Sequence, residues 1–221
     1  MTNPLSQANP HGRFSDRAVN YAAHRPSYPP AAIATLLADL GDPTQLVAAD
    51  IGAGTGISAR LLADRGITVW AIEPNAAMRS QAIPHPKIDW QAGTATATGC
   101  GDRSVDLITC CQSFHWFEPE SSLAEFHRIL KPQGRLALMW NDRAPHDPFT
   151  QAYRTGLAQI VGDRPPSDPS HRALDVVAAS PWFTNWRSQT FTYHQVLDQA
   201  GLAGRTFSSS YVPVSYTHLT L

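Results

Sequence analysis

The stretch Val47-Ala-Ala-Asp-Ile-Gly-Ala-Gly-Thr-Gly-Ile-Ser-Ala-Arg-Leu-Leu62 decides how this chain is read. An apolar strand carries an acid near its tip, Asp50, then passes through three closely spaced glycines into a helix. Gly52, Gly54 and Gly56 lack Cβ atoms, so the backbone turns sharply there and a ligand can approach it closely. The amides that open the following helix face whatever sits at that spot. A dinucleotide fingerprint requires glycine at the sixth position of G-x-G-x-x-G, where this chain has Ile57. Its third glycine falls one residue early. The Asp50 carboxylate suits a cationic amino group better than a pyrophosphate. Its competing duty is to cap the helix that follows.

Outward from this loop the chain alternates. Leu46 to Ile51 predicts a strand, Ile57 to Arg65 a helix stopped by Gly66, Ile67 to Glu73 a strand and Asn75 to Gln81 a helix. Ile88 to Gln91, Val105 to Cys111 and Arg135 to Asn141 supply three further strands. Glu118 to Leu130 reads as a helix with Leu123, Phe126, Ile129 and Leu130 on its buried face, ended by Lys131-Pro-Gln-Gly134. Ahead of the sheet, Ile33, Leu36, Leu37 and Leu40 share one face of a cover helix that starts at Pro30. The alternation predicts an α/β fold, a doubly wound and mostly parallel sheet with its ligand crevice at the carboxyl ends of the strands. Beyond Asn141, prolines at 145, 148, 165, 166, 169 and 181 punctuate one expected helix, Phe149 to Val161, in a small C-terminal cap region. There Ser188 to Tyr193 alternates like a strand, Gln195 to Ala200 reads as a short helix before Gly201, and Trp182, Phe183 and Trp186 are expected to form the cap's own core. The expected division is 1–41 for an N-terminal arm and cover helix, 42–141 for the cofactor-binding core, and 142–213 for the cap and a partial C-terminal sheet region.

Composition narrows the function. At 221 residues the chain fits one sizeable domain. Seventeen Lys and Arg against eighteen Asp and Glu give a formal charge of -1, with no basic block or stripe of the kind that marks a nucleic-acid footprint. No stretch approaches the roughly 18 apolar residues of a membrane helix, and the first residues lack the apolar core of a signal peptide. No nucleic-acid or membrane partner is expected, and the chain reads as soluble and cytoplasmic. Three cysteines, with Cys110 and Cys111 adjacent inside an apolar run, have no metal-ligand spacing, so no metal site is expected.

Several ordered motifs together resemble a known family. Asp50-Ile-Gly-Ala-Gly-Thr-Gly56 resembles the cofactor loop of class I S-adenosylmethionine-dependent methyltransferases. Phe14-Ser-Asp-Arg-Ala-Val-Asn-Tyr21 and Arg25-Pro-Ser-Tyr-Pro29 resemble the N-terminal segment of the subgroup around trans-aconitate methyltransferase. Ser113-Phe-His-Trp-Phe117, Arg128-Ile-Leu-Lys-Pro132 and Trp140-Asn141 are similar to its later motifs. The likeness spans residues 14 to 213. It implies a Rossmann-like methyltransferase core, S-adenosylmethionine as cofactor, and a small-molecule methyl acceptor methylated on the oxygen of a carboxylate or hydroxyl. The subgroup continues past Pro213 into a final antiparallel strand, whereas Val214-Ser-Tyr-Thr-His-Leu-Thr-Leu221 does not resemble that continuation and is expected to be a non-native tail on a truncated reading frame.

The candidate site residues follow. Gly52, Gly54, Gly56 and Asp50 belong to the cofactor loop. Glu73 closes the second strand, 17 positions after Gly56, where a carboxylate accepts both hydrogen bonds from a ribose diol. Thr94 and Ala95 follow the third strand, where the resembled subgroup passes its backbone along the adenine edge. Gln112 opens the segment at the tip of the fourth strand, beside the expected sulfonium. His115 in that segment is the candidate general base, needed only if the acceptor must lose a proton; otherwise it shapes the loop. Tyr21 and Arg25 are candidates to hold a carboxylate of the cofactor or of an acidic acceptor. Two other classes stay open at this point: a nucleotide-dependent oxidoreductase on a related sheet, and a non-catalytic S-adenosylmethionine-binding partner protein.

Overall fold

The computed structural model describes residues 14–161 and 169–209. Five strands form one sheet: β1 Val47–Ile51, β2 Thr68–Ile72, β3 Ile88–Gln91, β4 Val105–Cys111 and β5 Leu130–Met139. Every pairing is parallel and the order is β3-β2-β1-β4-β5. Parallel strands covered on both faces read as continuous apolar runs, and for this reason Val47–Ile51 and Val105–Cys111 were recognisable.

The helices are α1 Ala18–His24, α2 Pro30–Leu37, α3 Ile57–Ala63, α4 Ala76–Arg79, α5 Pro119–Ile129, α6 Pro148–Val161, α7 Pro169–Ala178 and α8 Gln199–Phe207. Side chains along a strand point alternately to its two faces, so the sheet serves two cores. Ala48, Val69 and Leu107 pack on one face with Ile33 of α2 and Leu62 of α3. Ala49, Ile51, Ile72 and Ile108 pack on the other with Leu123, Phe126 and Ile129 of α5 and Val177 of α7. Phe126 is completely buried, and truncating such a side chain to alanine costs about 3–5 kcal/mol. Chain order reverses between β1 and β4, and crossovers on both faces leave a crevice at that switch point, outside the carboxyl ends of the strands.

The fold departs from the sequence pattern in several places. The Lys131–Gly134 turn does not separate α5 from the last strand. β5 pairs from Leu130 onward, with the register stepping from Val105↔Leu130 to Leu107↔Arg135, so residues 131–134 bulge out and Gln133 takes φ +67°. Lys131 Nζ anchors the bulge on the Asp106 carboxylate at 2.8 and 2.9 Å. Residues 188–193 form no strand: mostly exposed, they have no ladder partner among the described residues, so their alternation has no face to bury. A helix α7 starts at Pro169, in a stretch whose prolines predict no helix; proline is tolerated at a first helical position because its missing N–H would go unused.

The last helix begins at Gln199, capped by Asp198 Oδ1 accepting from Gly201 N at 2.7 Å, so Gly201 lies inside it instead of ending it. Gly204 has a packing role. A Cβ there would stand 2.1 Å from His24 Cδ2, so glycine lets α8 lie directly against α1. Trp182 and Phe183 pack on the second core, while Trp186 is exposed and no part of it. The expected tail, 214–221, lies outside the described residues. No helix among the described residues is long and apolar enough to cross a membrane.

Candidate cofactor and acceptor site

The glycine loop is built for close approach. Gly52, Gly54 and Gly56 adopt φ of +69°, +61° and +79°, a region other residues enter at a cost. A Cβ on Gly52 would stand 2.6 Å from Ser113 Cβ, so the loop also packs directly on the segment after β4. Two of its amides, Gly52 N and Ala53 N, donate to Ile72 O at 2.8 and 3.1 Å and tie the loop to β2.

Glu73, 8% exposed, follows β2. Its Oε2 accepts from Gly54 N at 2.9 Å and its Oε1 from Asn75 N at 2.8 Å. The carboxylate thus locks the glycine loop to the start of α4, where Asn75 caps by accepting from Ala77 N and Met78 N. A carboxylate can accept about four hydrogen bonds, so holding two amides is compatible with accepting from a ligand as well.

A crevice of about 260 Å³ runs over these strand tips. Tyr21, Gly52, Gly54, Glu73, Thr94, Ala95 and Gln112 all line it, so seven candidates drawn from five separate segments of the sequence are brought together. A smaller cleft shares Tyr21, Gly52, Cys111 and Gln112 with it and adds Arg25, Tyr28, Ser58 and Asn141. The Arg25 guanidinium stacks 4.7 Å over the Tyr21 ring and donates Nη2 to Ser208 O at 3.0 Å, while its buried Nε has no hydrogen-bond partner. Phe14 stands edge-on to both Tyr21 and Trp116, at 5.8 and 5.9 Å between ring centres, and roofs the crevice. Gln112 holds a left-handed φ of +61° and donates its amide to Met139 O at 2.9 Å, a strained backbone of the sort that clusters at ligand sites.

The loop that carries Thr94 and Ala95 is clamped from outside. Glu125 Oε1 accepts from Thr98 N and Thr98 Oγ1 at 3.0 and 2.6 Å, and Arg128 bonds Glu125, Asp102 and the Cys100 carbonyl. These donors hold the Glu125 carboxyl down to about 2 against the opposing pull of desolvation.

Three candidates fall outside the crevice wall. Asp50 is completely buried, with Oδ2 accepting from Ser58 Oγ at 2.6 Å and Oδ1 from Thr109 Oγ1 at 2.8 Å. Burial raises its pKa to about 6 despite those bonds. Its direct partners all belong to the fold: the hydroxyls of Ser58 and Thr109 and the backbone amide of Ala59 in α3. Gly56 sits at the start of α3 against Trp90, where a Cβ would meet the indole at 2.8 Å.

His115 lies in the short 3-10 turn Phe114–Trp116, its Nδ1 accepting from the indole N–H of Trp140 at 3.3 Å. Trp140 can only donate, so Nδ1 is the lone-pair nitrogen and Nε2 bears the proton. Burial, assisted by Arg25, lowers the His115 pKa to about 4. A neutral imidazole whose lone pair faces an indole N–H and whose pKa lies near 4 is a weak base, so the fold favours the loop-shaping role of His115 over proton abstraction.

Sequence reasoning missed Asn75, Met78, Glu118 and Ser122, which also line the crevice. Glu118 and Ser122 were detectable in principle: they stand four residues apart on the helix that leaves the β4 tip, hence on one face. Arg143 packs 5.1 Å over the Tyr153 ring and is not part of either wall. Among the described residues no group of three His, Cys, Asp or Glu is placed to hold a metal.

Residues 49–138 match a family described as "Methyltransferase domain". The chain is similar to an uncharacterised methyltransferase-like protein of Schizosaccharomyces pombe, 35% identical over 156 residues, which are 69% of this chain and 60% of that one. It is also similar to a demethylmenaquinone methyltransferase of Renibacterium salmoninarum, 33% identical over 126 residues, 55% of this chain and 53% of the relative. Among solved structures, a provisionally named type II methyltransferase from Anaeromyxobacter dehalogenans superposes with a TM-score of 0.60 at 25% identity, covering 75% of this chain and 70% of its own. The chain spans a little over half the length of these curated relatives.

Proposed function

We propose that this chain is an S-adenosylmethionine-dependent methyltransferase of class I fold that methylates a small molecule, proceeding from the methyltransferase domain carried by residues 49–138. One observation carries the reading: a crevice over the tips of β1, β2 and β4, with the smaller cleft that shares part of its wall, whose polar groups match such a cofactor part by part. Glu73 offers a buried carboxylate to the ribose diol. The buried, unpartnered Nε of Arg25 suits the carboxylate of the methionine portion. Met78, Ala95 and Phe117 give an apolar slot for the base. When bound, the cofactor supplies a methyl group already activated on a sulfonium, so the protein's task is alignment and exclusion of water. Phe14, Tyr21 and Trp116 exclude water from above, and the strained Gln112 fixes the wall between cofactor and acceptor.

The acceptor oxygen belongs to a carboxylate, or failing that a hydroxyl. The ionisable residues lining the crevice and the adjoining cleft are Tyr21, Arg25, Tyr28, Glu73, Cys111 and Glu118, and burial pushes Tyr28 and Cys111 well up. A carboxylate is already a nucleophile at neutral pH and needs no base from this wall. The segments Phe14 to Tyr21 and Arg25 to Pro29 support the trans-aconitate-like subgroup, with the acceptor between the strand tips, the arm of 1–41 and the cap of 142–213.

A second reading, methylation of a ring carbon on a quinone-like acceptor, is favoured by the likeness to a demethylmenaquinone methyltransferase. It requires removal of a ring proton, for which His115 at about 4 is a weak agent. Incubation with S-adenosylmethionine and a mixed pool of carboxylic acids, phenols and quinols, followed by mass spectrometry, separates the readings. A methyl ester supports the first and a ring-methylated product the second. Tight cofactor binding with no product across the pool would favour the non-catalytic partner.

A further inference from the structure

Helix α5 places a second unpartnered polar group on the crevice, at the end away from Arg25. Ser122 is completely buried, its Oγ has no hydrogen-bond partner, and the residue lines the larger crevice but not the cleft that holds Arg25. Its surroundings are apolar, with Leu123 and Phe126 on the same helix and Ala95 and Phe117 on the slot. A hydroxyl left unpaired in such a place lowers stability, and in folded proteins such a group is uncommon enough to call for an explanation.

Glu118 stands one helical turn before Ser122 and lines the same crevice, so this wall offers hydrogen-bond acceptors: a carboxylate and a hydroxyl oxygen. Across the slot the hydroxyls of Thr94 and Thr96, 3.3 Å apart, are bonded to each other. A carboxylate only accepts and a serine hydroxyl accepts as well as donates, so a ligand N–H suits both groups on the α5 side. In the cofactor proposed above the ammonium lies at the methionine end, with Arg25, which leaves the exocyclic amino group of the adenine.

Resting on that cofactor reading, we propose that Ser122 accepts a hydrogen bond from the adenine 6-amino group and so selects adenine over a purine that lacks it. Ser122 is then a specificity residue for the base, set apart from the ribose contact at Glu73 and from the reacting methyl group.

The test is calorimetry on the full chain with two compounds, S-adenosylhomocysteine and its counterpart with the 6-amino group replaced by hydrogen. Wild type should bind the first about 10-fold more tightly. Ser122→Ala should lose about 3- to 10-fold for S-adenosylhomocysteine and bind the counterpart as wild type does, erasing the discrimination. The melting temperature of unliganded Ser122→Ala should equal or exceed that of wild type, because the removed hydroxyl bonds nothing in the protein. Unchanged affinity for S-adenosylhomocysteine, or an equal loss for both compounds, would overturn the assignment. Wild type that binds neither compound would instead overturn the cofactor reading beneath it.

Discussion

The tips of β1 and β2 carry neighbouring buried carboxylates put to opposite uses. Asp50 lies inside the fold, grips the hydroxyls of Ser58 and Thr109, and is raised to about 6 by burial. Glu73 holds one backbone amide of the cofactor loop and one at the start of α4, and it lines the crevice. The difference comes from pleat and position. Asp50 is within its strand, on the face that packs against α3, whereas Glu73 comes after its strand, where the backbone has left the sheet. An acid at a strand tip is thus a ligand candidate only once its side chain clears the sheet.

The largest expected effect concerns Asp50 and its pH dependence. Its folded pKa of about 6 exceeds the unfolded value, so the folded state binds the extra proton and stability falls as pH rises from about 4 to about 6. His115 opposes it. With a folded pKa of about 4, below its unfolded value, it contributes stability that is complete above about 6.5 and is lost as pH falls toward 4. Each amounts to roughly 2–3 kcal/mol, and in the wild type they largely cancel. Asp50→Asn should therefore unmask a steep loss of stability on acidification, and His115→Gln a loss on raising the pH from 4 to 6, both measured by urea denaturation across that range. Flat profiles in both variants would remove the contrast between a structural Asp50 and a ligand-facing Glu73.

Glu73→Ala comes next. A hydrogen bond to a charged acceptor is worth about 1.5–3 kcal/mol, so affinity for S-adenosylhomocysteine should drop roughly 10- to 100-fold in calorimetry. Asp50→Asn should stay within about threefold of wild type in the same titration, since no direct ligand bond is removed. Equal losses for the two variants would break the comparison.

The smallest expected effect is on chemistry. If the product is a methyl ester, His115→Gln should leave single-turnover methyl transfer within about tenfold of wild type, because a carboxylate needs no base. A loss of about 10²- to 10⁴-fold would restore His115 as a general base and shift the acceptor to one that must be deprotonated.

What could be read in advance follows the same physics. The sheet was legible because strands covered on both faces leave apolar runs, and the cofactor loop because three glycines at φ above +60° have no cheap substitute. Glu73 was legible from its spacing after the loop. Gly201 was misleading, since a glycine within the first turn of a helix looks in sequence like one that ends a helix. Residues 188–193 misled in a similar way: alternation records a pattern and says nothing of whether a partner strand is there. The state of His115 depends on Trp140, 25 residues onward, and Ser122 resembles any helical serine until its burial and missing partner are seen. Long-range burial decides both, and single-sequence periodicity does not carry it.

The cofactor underlies every prediction above, and the most direct test is to titrate the wild-type chain in parallel with S-adenosylhomocysteine and with a reduced nicotinamide dinucleotide. Saturable binding of S-adenosylhomocysteine, weakened by Glu73→Ala and unmatched by the dinucleotide, is the predicted result. Tighter binding of the dinucleotide would contradict it and return the chain to the oxidoreductase class.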